Sequence, residues 1–166
     1  ESFERVLIKP QKRYKYPYER EADTLDNPEY DIYTINKGRA VGELIGGNIS
    51  VLDSMIGSAY EPDFENKIVY LEDVGGQTYR MDKMLFHLLY ATNLKKAAGI
   101  VMGAFDDCNT NSEKPSLSLK QAITDLLKPL DMPVSYGLSF GHFDTIITIP
   151  NGIKARMNGD KNTLKL

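Results

Sequence analysis

The sequence predicts an α/β domain, a mixed β-sheet with packed helices, on three observations. From Ile32 onward, short apolar runs alternate with helical segments and glycine-rich turns, the pattern of layered α/β folds. The run Ile68-Val69-Tyr70-Leu71 is apolar at every position, as in a strand covered on both faces. The segment after it carries the clearest helical period in the chain, with Met81, Met84, Leu85, Leu88 and Leu89 at i, i+3, i+4, i+7 and i+8.

Taken in order, residues 1–31 are charged and tyrosine-rich, with Pro10, Pro17 and Pro28 and no sustained period. They read as an irregular connector from an N-terminal domain outside this sequence, and 32–166 as the folded domain. Ile32 to Ile35 and Arg39 to Ile45 read as strands. Gly46-Gly47-Asn48 reads as a turn, from which Asn48 caps a short helix that runs to Ile56 and stops at Gly57. The strand Ile68 to Leu71 is expected to end at Glu72-Asp73, and Thr78 to cap the next helix. At about 100° per residue, Phe86, His87 and Tyr90 fall off that helix's apolar stripe, on the side a monomeric domain leaves wet.

Ala98 to Met102 reads as a further buried strand, followed by a polar loop from Asp106 to Pro115. Ser118 and Gln121 form a capping-box pattern ahead of Leu119, Ile123, Leu126 and Leu127, and Pro129 closes that helix. Val134 to Leu138, Thr145 to Ile149 and Ile153 to Met157 complete the strands, with Asn162 to Leu166 as an edge.

The chain has 166 residues, the size of one domain that buries roughly two thirds of its unfolded surface. Hydrophobic residues make up 42% and charged residues 26%, a globular balance. Twenty basic against 23 acidic residues, with no long run of either sign, removes the electrostatic case for nucleic acid. Tyr14-Lys15-Tyr16 resembles a base-stacking surface, but the acidic stretch from Glu19 to Asp31 cancels its field. No apolar stretch approaches the roughly 20 residues of a membrane-spanning helix, so no membrane partner is expected. The single Cys108 and the two histidines, His87 and His142, are too few for a disulfide or a zinc site. Asp106-Asp107 lacks the further spaced carboxylates of a hard-cation loop. No metal is therefore expected. A reducing cytoplasm fits one thiol, although a single-thiol domain also survives in an oxidising compartment. The chain begins at Glu1, shows nothing resembling a signal peptide, and reads as a piece of something longer, which leaves export of the parent protein open.

Gly137-Leu138-Ser139-Phe140-Gly141 matches the G-x-S-x-G nucleophile elbow, but the elbow needs a helix after the serine and a strand-like segment follows here. Gly38, Gly42, Gly46 and Gly47 fit neither the dinucleotide fingerprint nor the Walker spacing and read as tight-turn glycines. Two residues stand out. Glu72 follows four apolar residues at the carboxyl end of a buried strand, where α/β sheets place functional groups. A carboxylate buried there costs several kcal/mol unless it is hydrogen-bonded. His142 lies behind Gly141 between two strands, where the flanking glycine lets the backbone present an imidazole in a tight space. A Glu holding a His is two thirds of a serine-hydrolase triad. The plain alternatives are an N-cap or a salt bridge to Arg80 for Glu72 and a turn role for His142, and general rules alone favour them. His87 reads as a surface residue, and Cys108 has no readable role.

Four ordered motifs shift that balance. They are Gly42-x-Leu44-x-Gly46-Gly47-Asn48-x-Ser50-x-Leu52; Leu71-Glu72-Asp73-Val74-Gly75 with Tyr79-Arg80-Met81-Asp82-Lys83-Met84; Gly99-Ile100-Val101-x-Gly103-x-Phe105; and Gly141-His142 with Pro150-x-Gly152. Together they resemble the C-terminal domain of the LD-carboxypeptidase family of serine peptidases, to which the microcin C immunity peptidases also belong. The resemblance implies a swivelling β/β/α domain in a two-domain enzyme whose N-terminal domain supplies the serine and the oxyanion hole. Glu72 and His142 then correspond to the triad Glu and His. It implies release of D-alanine from murein tetrapeptides in cell-wall recycling, with no metal or organic cofactor, and an isolated domain that is inactive. Gly76, where the family commonly has an acidic residue, and Phe143, where glycine is frequent, depart from the pattern and bear on substrate choice.

Two rivals remain beside this expectation: a microcin-type immunity hydrolase, against which the absence of Trp weighs mildly, and a non-catalytic module that holds cell-wall peptides. Phe86 and Tyr90 are expected to dock against the other domain or a second protomer, or else to lie under the tyrosine-rich N-terminal segment.

Overall fold

In the computed structural model the described residues are 2–10, 31–109, 115–142 and 147–166. The elements run β1 (Tyr33–Asn36), β2 (Arg39–Asn48), α1 (Ile49–Met55), β3 (Ile68–Val74), α2 (Thr78–Ala91), β4 (Gly99–Asp106), α3 (Leu119–Leu127), β5 (Val134–Leu138), β6 (Lys154–Asn158) and β7 (Thr163–Lys165). The strands form one sheet in the order β1-β5-β4-β3-β2-β6-β7. Its centre is parallel, β2 with β3, β3 with β4 and β4 with β5, while β1, β6 and β7 pair antiparallel at the margins. The result is the mixed sheet that the sequence predicts.

Each parallel step, from β2 to β3 to β4 to β5, is made through one helix and moves one strand in the same direction. Right-handed crossovers therefore lay all three helices on one face. The alternation of β3 divides the core accordingly. Val69 and Leu71 join Met81, Leu85, Leu88 and Ile123 beneath the helices. Ile68 and Tyr70 face the other way, among Leu44, Val101, Phe140, Met157 and Leu164. Val6, from a π-helical turn at Glu4–Ile8, packs into that second layer. The rest of the expected connector, residues 1 and 11–30, lies outside the described residues.

Several boundaries differ from expectation. Gly46, Gly47 and Asn48 belong to β2 rather than to a turn. The physical reason is close packing at Gly46: a Cβ there would stand 1.9 Å from the Tyr70 carbonyl oxygen, and its φ of +150° suits glycine. β2 also changes partner midway, pairing with β6 through Glu43 and with β3 from Leu44 onward. β3 does not stop at Leu71 but carries Glu72 and Asp73 within the strand, and β4 runs on to Asp106. Gln77, not Thr78, is the cap residue of α2; the buried Thr78 hydroxyl donates to the Cys108 carbonyl. Cys108 itself is fully buried rather than part of a polar loop. Residues 147–149 are not in a strand, and 143–146, with Phe143, lie outside the described residues. The caps Asn48 and Ser118 are as predicted, accepting from the backbone N–H of Val51 and Gln121.

Candidate functional site

β3 sends two consecutive carboxylates to opposite faces of the sheet. Asp73 points toward the helices and is buried, accepting from Asn48 Nδ2 (2.9 Å), Ser50 Oγ (2.6 Å), Ser50 N (3.2 Å) and Val74 N (2.8 Å). It locks the junction of β2 and α1 against β3, which accounts for the Asn48-x-Ser50 spacing. Reading Glu72-Asp73 as a strand end left this role unseen; continuing the strand alternation by two residues exposes it. Replacing Asp73 with alanine leaves these donors without their acceptor, and the expected loss is about 2–4 kcal/mol in urea unfolding.

Glu72 points away from the helices, on the same face as Tyr70. The strands around it are irregular in register. β4 carries one extra residue between the pairs Leu71↔Met102 and Asp73↔Phe105, and β5 one extra between Val101↔Ser135 and Gly103↔Leu138. Bulges on adjacent strands re-aim the carboxyl end of the sheet. Beyond β5 the chain folds back over β4: Phe140 N donates to the Leu138 carbonyl and Ala104 N to the Phe140 carbonyl. Gly103 makes room for that return, because a Cβ there would come within 2.2 Å of the Phe140 oxygen. The Phe140 ring sits edge-on to Tyr70, with centroids 5.8 Å apart. Gly141, at φ +138°, then swings His142 toward β3.

The outcome is a hydrogen bond of 2.7 Å between His142 Nδ1 and Glu72 Oε2, where the Glu72 side chain is 11% exposed and the imidazole 52%. A carboxylate only accepts, so Nδ1–H donates and neutral His142 carries its lone pair on Nε2. The arrangement holds the half-exposed imidazole by Nδ1 and leaves Nε2 as its acceptor nitrogen. Tyr70 braces the same wall, its hydroxyl donating to Asn151 Oδ1 at 3.1 Å. Burial pushes the Tyr70 phenol above its ordinary pKa, and the Glu72 charge adds to the rise. The turn holding Asn151 is tied to β2, with Gly152 N donating to the Leu44 carbonyl, which gives Pro150-x-Gly152 its place in the site.

The remaining candidates fall elsewhere. Glu72 is bonded to His142, and Arg80 is exposed on α2. His87 is at the surface as predicted, but its Nδ1 pairs with Asp53 Oδ1 at 2.7 Å and so clasps α2 to α1. Gly76 is buried, and a Cβ there would displace the Met81 methyl. Ser139 is 2% exposed, and its hydroxyl has no hydrogen-bond partner among the described residues, which is no position for a nucleophile. Ser139→Ala removes a buried hydroxyl that has no hydrogen-bond partner among the described residues; thermal unfolding is expected to show unchanged or slightly raised stability. Among the described residues, no group of three or more His, Cys, Asp or Glu side chains is placed to hold a metal ion.

The family model of the LD-carboxypeptidase C-terminal domain matches residues 41–157. The chain belongs to the LD-carboxypeptidase family. That match takes in both Glu72 and His142. Among curated relatives, the probable murein peptide carboxypeptidase of Bacillus subtilis is 37% identical over 126 residues, covering 76% of this chain and 40% of its own length. The murein tetrapeptide carboxypeptidase of Pseudomonas aeruginosa is 30% identical over 129 residues, covering 76% and 41%. Among solved structures, the muramoyltetrapeptide carboxypeptidase of Oxalobacter formigenes superposes with a TM-score of 0.78 at 25% identity, covering 99% of this chain and 52% of that one. The microcin C7 self-immunity protein MccF has the same fold, with a TM-score of 0.80 at 21% identity over 99% of this chain and 53% of that one. This LD-carboxypeptidase domain thus spans about two fifths of the length of the curated relatives it matches.

Proposed function

We propose that this domain supplies the base and its orienting carboxylate to a two-domain serine LD-carboxypeptidase that releases D-alanine from murein tetrapeptides. The observation that carries the reading is the 2.7 Å bond from a half-exposed imidazole to a buried carboxylate at the carboxyl end of the parallel strands. The serine and its oxyanion hole come from an N-terminal domain outside this sequence, joined through residues 1–31 to the domain at 32–166.

In the intact enzyme His142 Nε2 takes the serine proton as the serine oxygen attacks the carbonyl of the LD bond. Glu72 steadies the imidazolium, which returns that proton to the departing D-alanine amine. Water then attacks the acyl-enzyme, giving its proton to His142, and the proton passes to the serine as the peptide leaves. The chemistry runs on these groups alone, in the cytoplasm and without a metal or organic cofactor.

The test is D-alanine release from a murein tetrapeptide by the full-length protein, beside the isolated domain. Turnover by the full-length protein and none by the domain is expected. Tetrapeptide binding without turnover would instead favour a cell-wall-peptide binding module. Turnover of an aminoacyl sulfamoyl nucleotide but not of the tetrapeptide would favour an immunity hydrolase.

A further inference from the structure

β3 and the chain that folds back over β4 touch through two side-chain pairs, spaced alike on both. Glu72 meets His142 at 2.7 Å, and Tyr70 meets Phe140 edge-on with ring centroids 5.8 Å apart. Tyr70 and Glu72 share one face of β3, about 6.5 Å apart along the strand. The two pairs differ in burial. Tyr70 and Phe140 are 9% and 4% exposed within the second core layer, whereas the imidazole is half exposed. Between Phe140 and His142 stands Gly141, at a φ of +138°, a joint with little stiffness of its own. The imidazole therefore takes its place from the ring behind it and the carboxylate ahead of it.

The Tyr70 ring is itself gripped at its far end. Its hydroxyl donates to Asn151 Oδ1 at 3.1 Å. The turn carrying Asn151 is fastened to β2, with Gly152 N donating to the Leu44 carbonyl at 2.8 Å and Leu44 N to the Ile153 carbonyl at 2.9 Å. A phenylalanine at 70 would fill the same core space without a hydroxyl that costs free energy to bury. The hydroxyl therefore adds nothing to packing; it adds a tie to this turn. Asn151 is exposed, so packing does not select it either. We infer, resting on the reading of Glu72 and His142 given under Proposed function, that Tyr70 and Asn151 are positioning residues for the base. Their hydrogen bond holds the Tyr70 ring against Phe140 and so keeps His142 Nδ1 on Glu72 Oε2. Both act through Phe140 rather than on the reacting atoms.

Imidazole nitrogen NMR of the full-length protein, with the His142 signals assigned by their loss in His142→Ala, reads the tautomer directly. The wild type is expected to hold neutral His142 as the Nδ1–H form. Tyr70→Phe and Asn151→Ala are each expected to mix in the Nε2–H form and to lower kcat for D-alanine release by about 10- to 100-fold, with KM little changed. The double variant is expected to be no worse than either single one, because both break the same tie. Asn151→Asp keeps an acceptor for the phenol and is expected to behave as wild type, but not when Tyr70→Phe is also present. Melting curves check folding; if Tyr70→Phe does not fold, Asn151→Ala, at an exposed position, decides alone. An unchanged tautomer in the single variants, whether or not the melting temperature falls, or losses that add in the double variant, would overturn the proposal. An altered tautomer with unchanged kcat, or a wild type that does not turn over the tetrapeptide, would instead count against the proposed function and leave the positioning standing on the NMR.

Discussion

On the proposed mechanism, His142→Ala in the full-length protein is expected to abolish D-alanine release, with kcat falling by at least about 10⁴-fold in protein whose melting curve shows it still folded. The imidazole is half exposed, but its removal takes from the buried Glu72 carboxylate its hydrogen bond to His142, so the melting temperature is expected to fall. Glu72→Gln is the sharper experiment. The amide keeps the volume but puts a neutral group where the imidazolium needs an anion, and its NH₂ can favour the wrong tautomer of His142. A fall of about 10²- to 10⁴-fold in kcat, with KM little changed, is expected. Turnover at the wild-type level in either variant would remove the pair from the mechanism.

Gly103→Ala, remote from substrate in sequence, is expected to cost about 3 kcal/mol and to lower kcat as well. The added Cβ meets backbone, the Phe140 oxygen at 2.2 Å, and the ring atoms of Phe140 at 2.7 and 2.8 Å. Backbone cannot rotate away as the end of a flexible side chain does, so the return of the chain over β4 must lift. Lifting it breaks the bond from Ala104 N to the Phe140 carbonyl and carries His142, two residues on, away from Glu72. Urea unfolding and steady-state kinetics on one preparation check both effects. Normal stability with normal kcat would show that the fold-back does not position the imidazole.

Composition and periodicity made most of the elements legible, because burial on one or both faces of a strand or helix leaves its period in the residues. The caps Asn48 and Ser118 were legible for a local reason: an oxygen three residues ahead of an orphan N–H is enough. The misreadings share one cause. Gly46 and Gly47 look like a turn, and Glu72-Asp73 like a strand end, unless the neighbouring strand is known. It is the Tyr70 carbonyl that demands glycine at 46, and it is Asn48 and Ser50 that give Asp73 a buried place in the strand.

The sequence by itself determined the mixed α/β architecture, the outward rings of α2 and the two residues worth joining, since polarity pattern and ordered motifs are properties of the chain alone. Only the tertiary structure decided that Glu72 and His142, 70 positions apart, meet at 2.7 Å. It alone sent Asp73 to the opposite face and buried Ser139 beyond use. Whether two side chains touch depends on strand register, on bulges and on where a backbone may approach another, and those follow from packing between segments that no local pattern encodes.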